Sequence, residues 1–268
     1  MKTNVSLSST FILLASLLVF PGAVGQVSGQ DNTVQVEAPG VPIAREPHYH
    51  LVFQNFLVNV YEIEVAPGYA TLMHQHDYDN FFVVFGDAHL TNAVAGENPT
   101  KLDLPDLGIH FEHEPYANII ANNSKLPLRN ITVELLRTQG QVTKVYSSIN
   151  DALNAAPPDD RGIRQTLVLG TDEVQAIAVA LPKEKTWAPP HDGRDRLVVM
   201  LDKINNGSGT REGSSPFPAG MLAWFPADTD LRVPNASDQQ MKLMILEFND
   251  THQEVEPSAS TLSDLSGY

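Results

Sequence analysis

The sequence predicts an all-β chain folded as two similar β-barrels in tandem. Short runs rich in β-branched and aromatic residues recur along it, among them "YEIEV", "FFVVF", "NITVELL", "TLVLG", "VQAIAVAL", "RLVVML" and "KLMILEF". Strands of this length at close spacing, without strand–helix alternation, point to a barrel or a sandwich. The two halves also echo each other. "IEVAPG…HQHDYDNFFVVF…NNSKLPLRNITVELL" returns as "IAVALP…PPHDGRDRLVVML…PNASDQQMKLMILEF", with a period of about 115 residues. That period is too long for a solenoid repeat and suits a duplicated domain.

The chain opens with features of an export signal. Lys2 is the only charge before Asp31, "FILLASLLVF" is an apolar core of ten residues, and "AVG" before Gln26 suits a signal peptidase. Ten residues are too few for a spanning helix, which needs about 20. Residues 1–25 are therefore read as a cleaved signal and 26–45 as a flexible leader. The first domain covers 46–137. In "YEIEVAPG", Tyr61, Ile63 and Val65 alternate with Glu62 and Glu64, a half-buried strand closed by a Pro-Gly turn. Residues 138–164 read as a linker, with "SSINDALNAA" its one short helix and "APPDDRG" its breaker. The second domain spans 165–250, and 251–268 form a flexible tail.

Composition narrows the function. Loss of Lys2 with the signal leaves 16 basic residues against 32 acidic ones. Such a surface repels phosphate backbones and anionic lipid heads, so neither nucleic acid nor, after signal removal, a membrane is expected as a partner. A small-molecule ligand and a homo-oligomer stay open. Cysteine is absent, so an exported chain of this kind is held by its core alone. This favours a secreted or periplasmic bacterial protein. After the signal, five Asn-x-Ser/Thr sequons, at Asn122, Asn130, Asn206, Asn235 and Asn249, read equally as glycan acceptors or as turn chemistry.

The chemistry centres on "PGYATLMHQHDYDNFFVVFGDA". Residues i and i+2 of a strand share a face, so His74 and His76 aim two imidazoles into one space. Gly68, His74, His76 and Gly86 resemble the first motif of the cupins: Gly, five residues, His-x-His, a Glu three or four residues on, and a later Gly. The two halves together resemble a bicupin over residues 46–250. The resemblance implies two jelly-roll barrels, and a divalent metal such as zinc, nickel, iron or manganese in the first. It also implies departures. Asn80 stands where the motif has Glu, and Asn118 in "YANIIAN" where the second motif has its final His. The implied ligand set is thus His74, His76, Asn80 and Asn118.

Two imidazoles and two amides bring no negative charge to a cation. Imidazole suits zinc, nickel or iron, whereas amide oxygen is a hard, weak donor. The same residues also suit a barrel interior whose polar groups bond one another. In the second half His191 takes the place of His76, Pro189 that of His74 and Leu231 that of the final His, which leaves one imidazole. His48 and His50 form another His-x-His pair at the rim and read as exposed strand residues; His110 and His113, three apart, face opposite ways.

Two functions follow. One is a non-catalytic or small-ligand-binding bicupin with a degenerate first site. The other is a metal-dependent cupin enzyme, of isomerase or oxygenase type, acting on a small oxygen-rich substrate. The export reading predicts that intact-mass analysis of exported protein gives an N-terminus near Gln26. A mass that retains Lys2 would contradict it.

Overall fold

Strand alternation sorts the side chains of each half into an inner and an outer set. In a computed structural model, which describes residues 40–202 and 220–249, the first half contains β1 (Val41–Pro42), β2 (Tyr49–Gln54), β3 (Val58–Val65), β4 (His74–His76) and β5 (Asn80–Val84). It continues with β6 (Ala88–Val94), β7 (Thr100–Leu104), β8 (Ile109–Glu112), β9 (Tyr116–Asn122) and β10 (Leu128–Leu135). These make two five-stranded sheets in the orders β1-β4-β9-β6-β7 and β2-β3-β10-β5-β8. The second half contains β11 (Lys144–Val145), α1 (Ile149–Ala155), β12 (Arg164–Gly170), β13 (Val174–Leu181) and β14 (Thr186–Trp187). After them come β15 (Asp195–Met200), β16 (Leu222–Phe225), β17 (Val233–Pro234) and β18 (Met241–Phe248). Here a six-stranded sheet, β11-β12-β13-β18-β15-β16, faces the pair β14-β17.

The duplication is visible in strand order. Sheet β2-β3-β10-β5-β8 matches β12-β13-β18-β15-β16 element by element. Each matched sheet turns one side inward. On β3 and β10, Tyr61, Ile63, Val65 and Leu128 point into the first barrel, while Val58, Val60, Ile131, Val133 and Leu135 point out. The outward set meets Val168, Ala176, Leu197, Val199, Met244 and Leu246 of the second half in one shared core. Phe53 stacks on Trp224 at its edge, with ring centroids 5.8 Å apart. The strand "YEIEV" behaves as its pattern predicts, with Glu62 and Glu64 exposed.

The region expected as a linker is more ordered than its breakers suggest. β11 extends the second sheet, and α1 is capped by Ser148, whose hydroxyl accepts Asp151 N–H at 3.3 Å. Ile149, Ala152 and Leu153 of the helix join the shared core. Apolar residues at helical spacing outweigh the local Pro and Gly signals here. The leader also ends earlier than expected: Val41 and Pro42 pair in parallel with His74 and Gln75, and Ile43 is buried. The signal at 1–25, the rest of the leader and the tail at 251–268 lie outside the described residues.

The sequons resolve into structure. Asn122 Nδ2 donates to Val65 O and to Leu126 O, both at 2.9 Å. Asn235 repeats the arrangement toward Leu181 O and Gln239 O at 2.9 and 2.8 Å. In each, the side-chain oxygen accepts the N–H of a serine two residues on. Both asparagines are buried and so is Asn130. A glycan on Asn122 or Asn235 would take one of the two amide hydrogens these clasps use. Asn122→Ala removes the donor from the buried Val65 carbonyl and from Leu126 O and should cost about 1–3 kcal/mol in chemical denaturation, with Asn235→Ala alike. Losses under about 0.5 kcal/mol would show the clasps to be incidental.

Candidate functional site

The apolar end of the first barrel, built from Ile43, Tyr61, Ile63, Val65, Val84, Ala88, Leu90 and Leu128, gives way to a polar layer. β4 and β9 lie side by side with His74 opposite Asn118 and His76 opposite Tyr116. Asn80 enters from the facing sheet, paired with Glu134 of β10. All four sequence-predicted residues are buried, between 0 and 4 % exposed. Three of them, His76, Asn80 and Asn118, line one cavity together with Tyr49, Tyr116, Asn130 and Thr132. His74 stands beside it, its ring 5.0 Å from that of His76. Gly68 and Gly86, which frame the motif, have φ of 77° and 92°, in the left-handed region that glycine enters freely.

The four donors are held to different degrees. His74 Nδ1 lies 2.9 Å from Leu72 O, a pure acceptor, so the proton sits on Nδ1. Its Nε2 lone pair accepts the Tyr49 hydroxyl at 3.0 Å. Burial lowers the His74 pKa, and the Leu72 hydrogen bond and the Glu46 charge only partly offset this. His76 stacks on Tyr116, with centroids 4.5 Å apart and planes at 14°. Burial, and then the neighbouring His74, push its pKa down to about 3. Asn80 exchanges hydrogen bonds with the Tyr116 hydroxyl at 3.1 and 3.2 Å. Asn118 Nδ2 donates to Asn92 Oδ1 at 3.0 Å. Two buried atoms of the cavity residues have no partner: His76 Nδ1 and Asn118 Oδ1.

Glu134, beside Asn80, is a buried carboxyl, as are Glu46 and Asp79. Asn59 Nδ2 donates to its Oε2 at 3.0 Å, and burial raises its pKa. Tyr49 and Tyr116 are likewise raised, first by burial of their hydroxyls. Asp79, one residue before Asn80, turns away and accepts the N–H groups of Glu114 and Gln139 at 3.0 and 2.8 Å. His110 and His113 part as their spacing implies, toward Glu112 and Asp79 respectively.

This donor set does not fit a divalent metal. Of the four implied ligands, His74 has its lone pair engaged and Asn80 is tied to Tyr116. What is left open is the His76 ring, with one lone pair in its neutral form, and one neutral amide oxygen. Among the described residues, no three His, Cys, Asp or Glu groups converge in a way that could hold a metal ion. The cavity measures about 30 Å³. That admits a water molecule, which needs roughly 10–15 Å³, and excludes a sugar or an organic acid.

The second barrel is filled differently. Trp187 and Leu231 sit in an apolar cluster with Ile163, Val179, Leu181, Met241, Leu243 and Ile245. Where the first barrel pairs Asn80 with Glu134, the second pairs Arg196 with Glu247. Arg196 Nε donates to Glu247 Oε1 at 2.8 Å, and its Nη2 to Asp192 Oδ1 at 2.5 Å. His191 is exposed on the preceding loop.

The fold can now be compared. AerE from Microcystis aeruginosa superposes with a TM-score of 0.50 at 12% identity, over 76% of this chain and 98% of that one. Salicylate 1,2-dioxygenase from Pseudaminobacter salicylatoxidans gives 0.50 at 11%, over 72% and 71%. Oxalate decarboxylase from Lactobacillus farciminis gives 0.50 at 12%, over 72% and 77%. The fold is that of the cupins, twice over. No sequence profile of a known family matches the chain, and no curated protein matches it in sequence.

Sequence reasoning missed the partners that decide the states of the four residues. Tyr116 was within reach, since it lies two residues before Asn118 on the same strand face. Tyr49 opens the strand after "REPH" and shares no motif with its partner, so only the fold brings it to His74. Acid should expose the buried imidazoles. His76 is neutral in the folded chain down to about pH 3, whereas the unfolded imidazole takes a proton below its ordinary value of 6.5. The unfolded state therefore binds more protons between these values, and stability falls as pH drops through that window. The loss should approach about 1.4 kcal/mol per pH unit for His76 alone. Denaturation midpoints of wild type and His76→Gln should diverge at neutral pH and converge toward pH 4.5. Parallel profiles would contradict a buried neutral His76.

Proposed function

We propose that this chain is an exported, non-catalytic bicupin in which the first barrel keeps a closed polar layer where a metal centre would stand. One observation carries the reading: His74 spends both ring nitrogens on protein partners, Leu72 O and the Tyr49 hydroxyl. The small cavity supports it, because the space of about 30 Å³ beside His76 is on the scale of a few water molecules. The role left to such a molecule is that of a scaffold, with any small ligand held outside the barrels.

A second reading, a metal-dependent enzyme of isomerase or oxygenase type, draws on the unpartnered His76 Nδ1 and Asn118 Oδ1. An ordered water satisfies the same two atoms with less demand on charge. Metal analysis separates the readings. Protein purified without a histidine tag should carry well below stoichiometric zinc, nickel, iron and manganese, and added zinc should leave its melting temperature unchanged. A metal bound one per chain and lost in His76→Gln would establish the second reading.

A further inference from the structure

We propose that Tyr49 is the residue that sets the first barrel against a metal ion, its hydroxyl acting as a built-in competitor for His74. The inference rests on the metal-free reading above, and the test keeps the two apart. His74 is otherwise oriented as a ligand. Its Nδ1–H is fixed on Leu72 O, the kind of arrangement that presents Nε2 to a metal. Nε2 has one lone pair, and the Tyr49 hydroxyl holds it at 3.0 Å. A metal would have to displace that hydroxyl and take away its acceptor at a buried position, where an unpaired polar group is costly.

The hydroxyl is not free to swing aside. Tyr49 is anchored on β2 opposite Ile63, and its ring lies 6.1 Å from Tyr61 and 4.8 Å from His74. It reaches from one sheet of the barrel to β4 of the other. The remaining opening, lined by His76 and Asn118, is water-sized. Restoring a third imidazole at position 118 is therefore insufficient by itself, because His74 would still be engaged.

Four proteins test this with zinc chloride by calorimetry: wild type, Asn118→His, Tyr49→Phe and the Tyr49→Phe/Asn118→His double variant. Tyr49→Phe keeps the ring and removes only the hydroxyl. The double variant should bind zinc at least ~10- to 100-fold more tightly than Asn118→His, the range seen when groups around a metal ligand change. Cobalt substitution should give the double variant a visible ligand-field band that disappears when His76→Gln is added, which places the ion in the barrel. Near-UV dichroism checks folding. If Tyr49→Phe unfolds the chain, Tyr49→Leu makes the same comparison. Equal zinc affinity of Asn118→His and the double variant would overturn the competitor role while leaving the metal-free reading intact. Stoichiometric zinc in wild type, lost in His76→Gln, would overturn both.

Discussion

The polar layer of the first barrel has to satisfy most of its groups itself, because the two sheets that enclose it leave room for little water. Hydrogen bonds between the sheets meet that demand. Tyr49 donates across to His74, and Tyr116 exchanges bonds with Asn80 of the opposite sheet. Burial of an unpartnered polar group costs roughly 1–3 kcal/mol, and burial of an unpaired charge costs more. The shifts in the layer accordingly run toward the neutral forms. Both imidazoles are pushed down, and Glu134, Tyr49 and Tyr116 are pushed up. Each of these shifts has burial as its leading cause, so the same constraint that joins the sheets also removes charge from the site.

The two barrels solve one packing problem in two ways. Their backbones share strand order and the asparagine clasps at Asn122 and Asn235. Their interiors differ. In the second barrel Trp187, Leu231 and their neighbours fill the space, and Arg196 closes the mouth between Glu247 and Asp192. Arg196 supplies a tethered cation, so the buried Glu247 stays paired without any ion from solution. Breaking such a pair is expensive even where its formation gains little. In the first barrel the corresponding strand position is Asn80, and no cation offsets the burial that raises the Glu134 carboxyl.

Much of the fold was legible because it depends on periodicity. Alternation placed Tyr61, Ile63 and Val65 inside with Glu62 and Glu64 outside, and the i, i+2 spacing put His74 and His76 on one buried face. The repeated halves foretold the matched sheets. The order within 138–164 was harder to read, since "APPDDRG" speaks for a loop while Ile149, Ala152 and Leu153 speak for a core, and only the shared core decides between them. The states of the site residues were not legible. A motif fixes which residues face inward, but the hydrogen-bond partner of His74 sits 25 positions earlier on another sheet. Even Asn122 and Asn235, which satisfy a surface sequon pattern, turned out to be buried structural clasps.

The central claim is that the first barrel keeps both imidazoles internal and neutral, with His74 hydrogen-bonded through both ring nitrogens. Nitrogen-15 spectra of His74 and His76, recorded at neutral pH during a zinc titration of the untagged protein, test it most directly. The account predicts two neutral rings, His74 protonated on Nδ1, with both sets of nitrogen shifts unmoved at equimolar zinc. A stoichiometric zinc-induced shift of either ring, or a His74 ring protonated on Nε2, would contradict it.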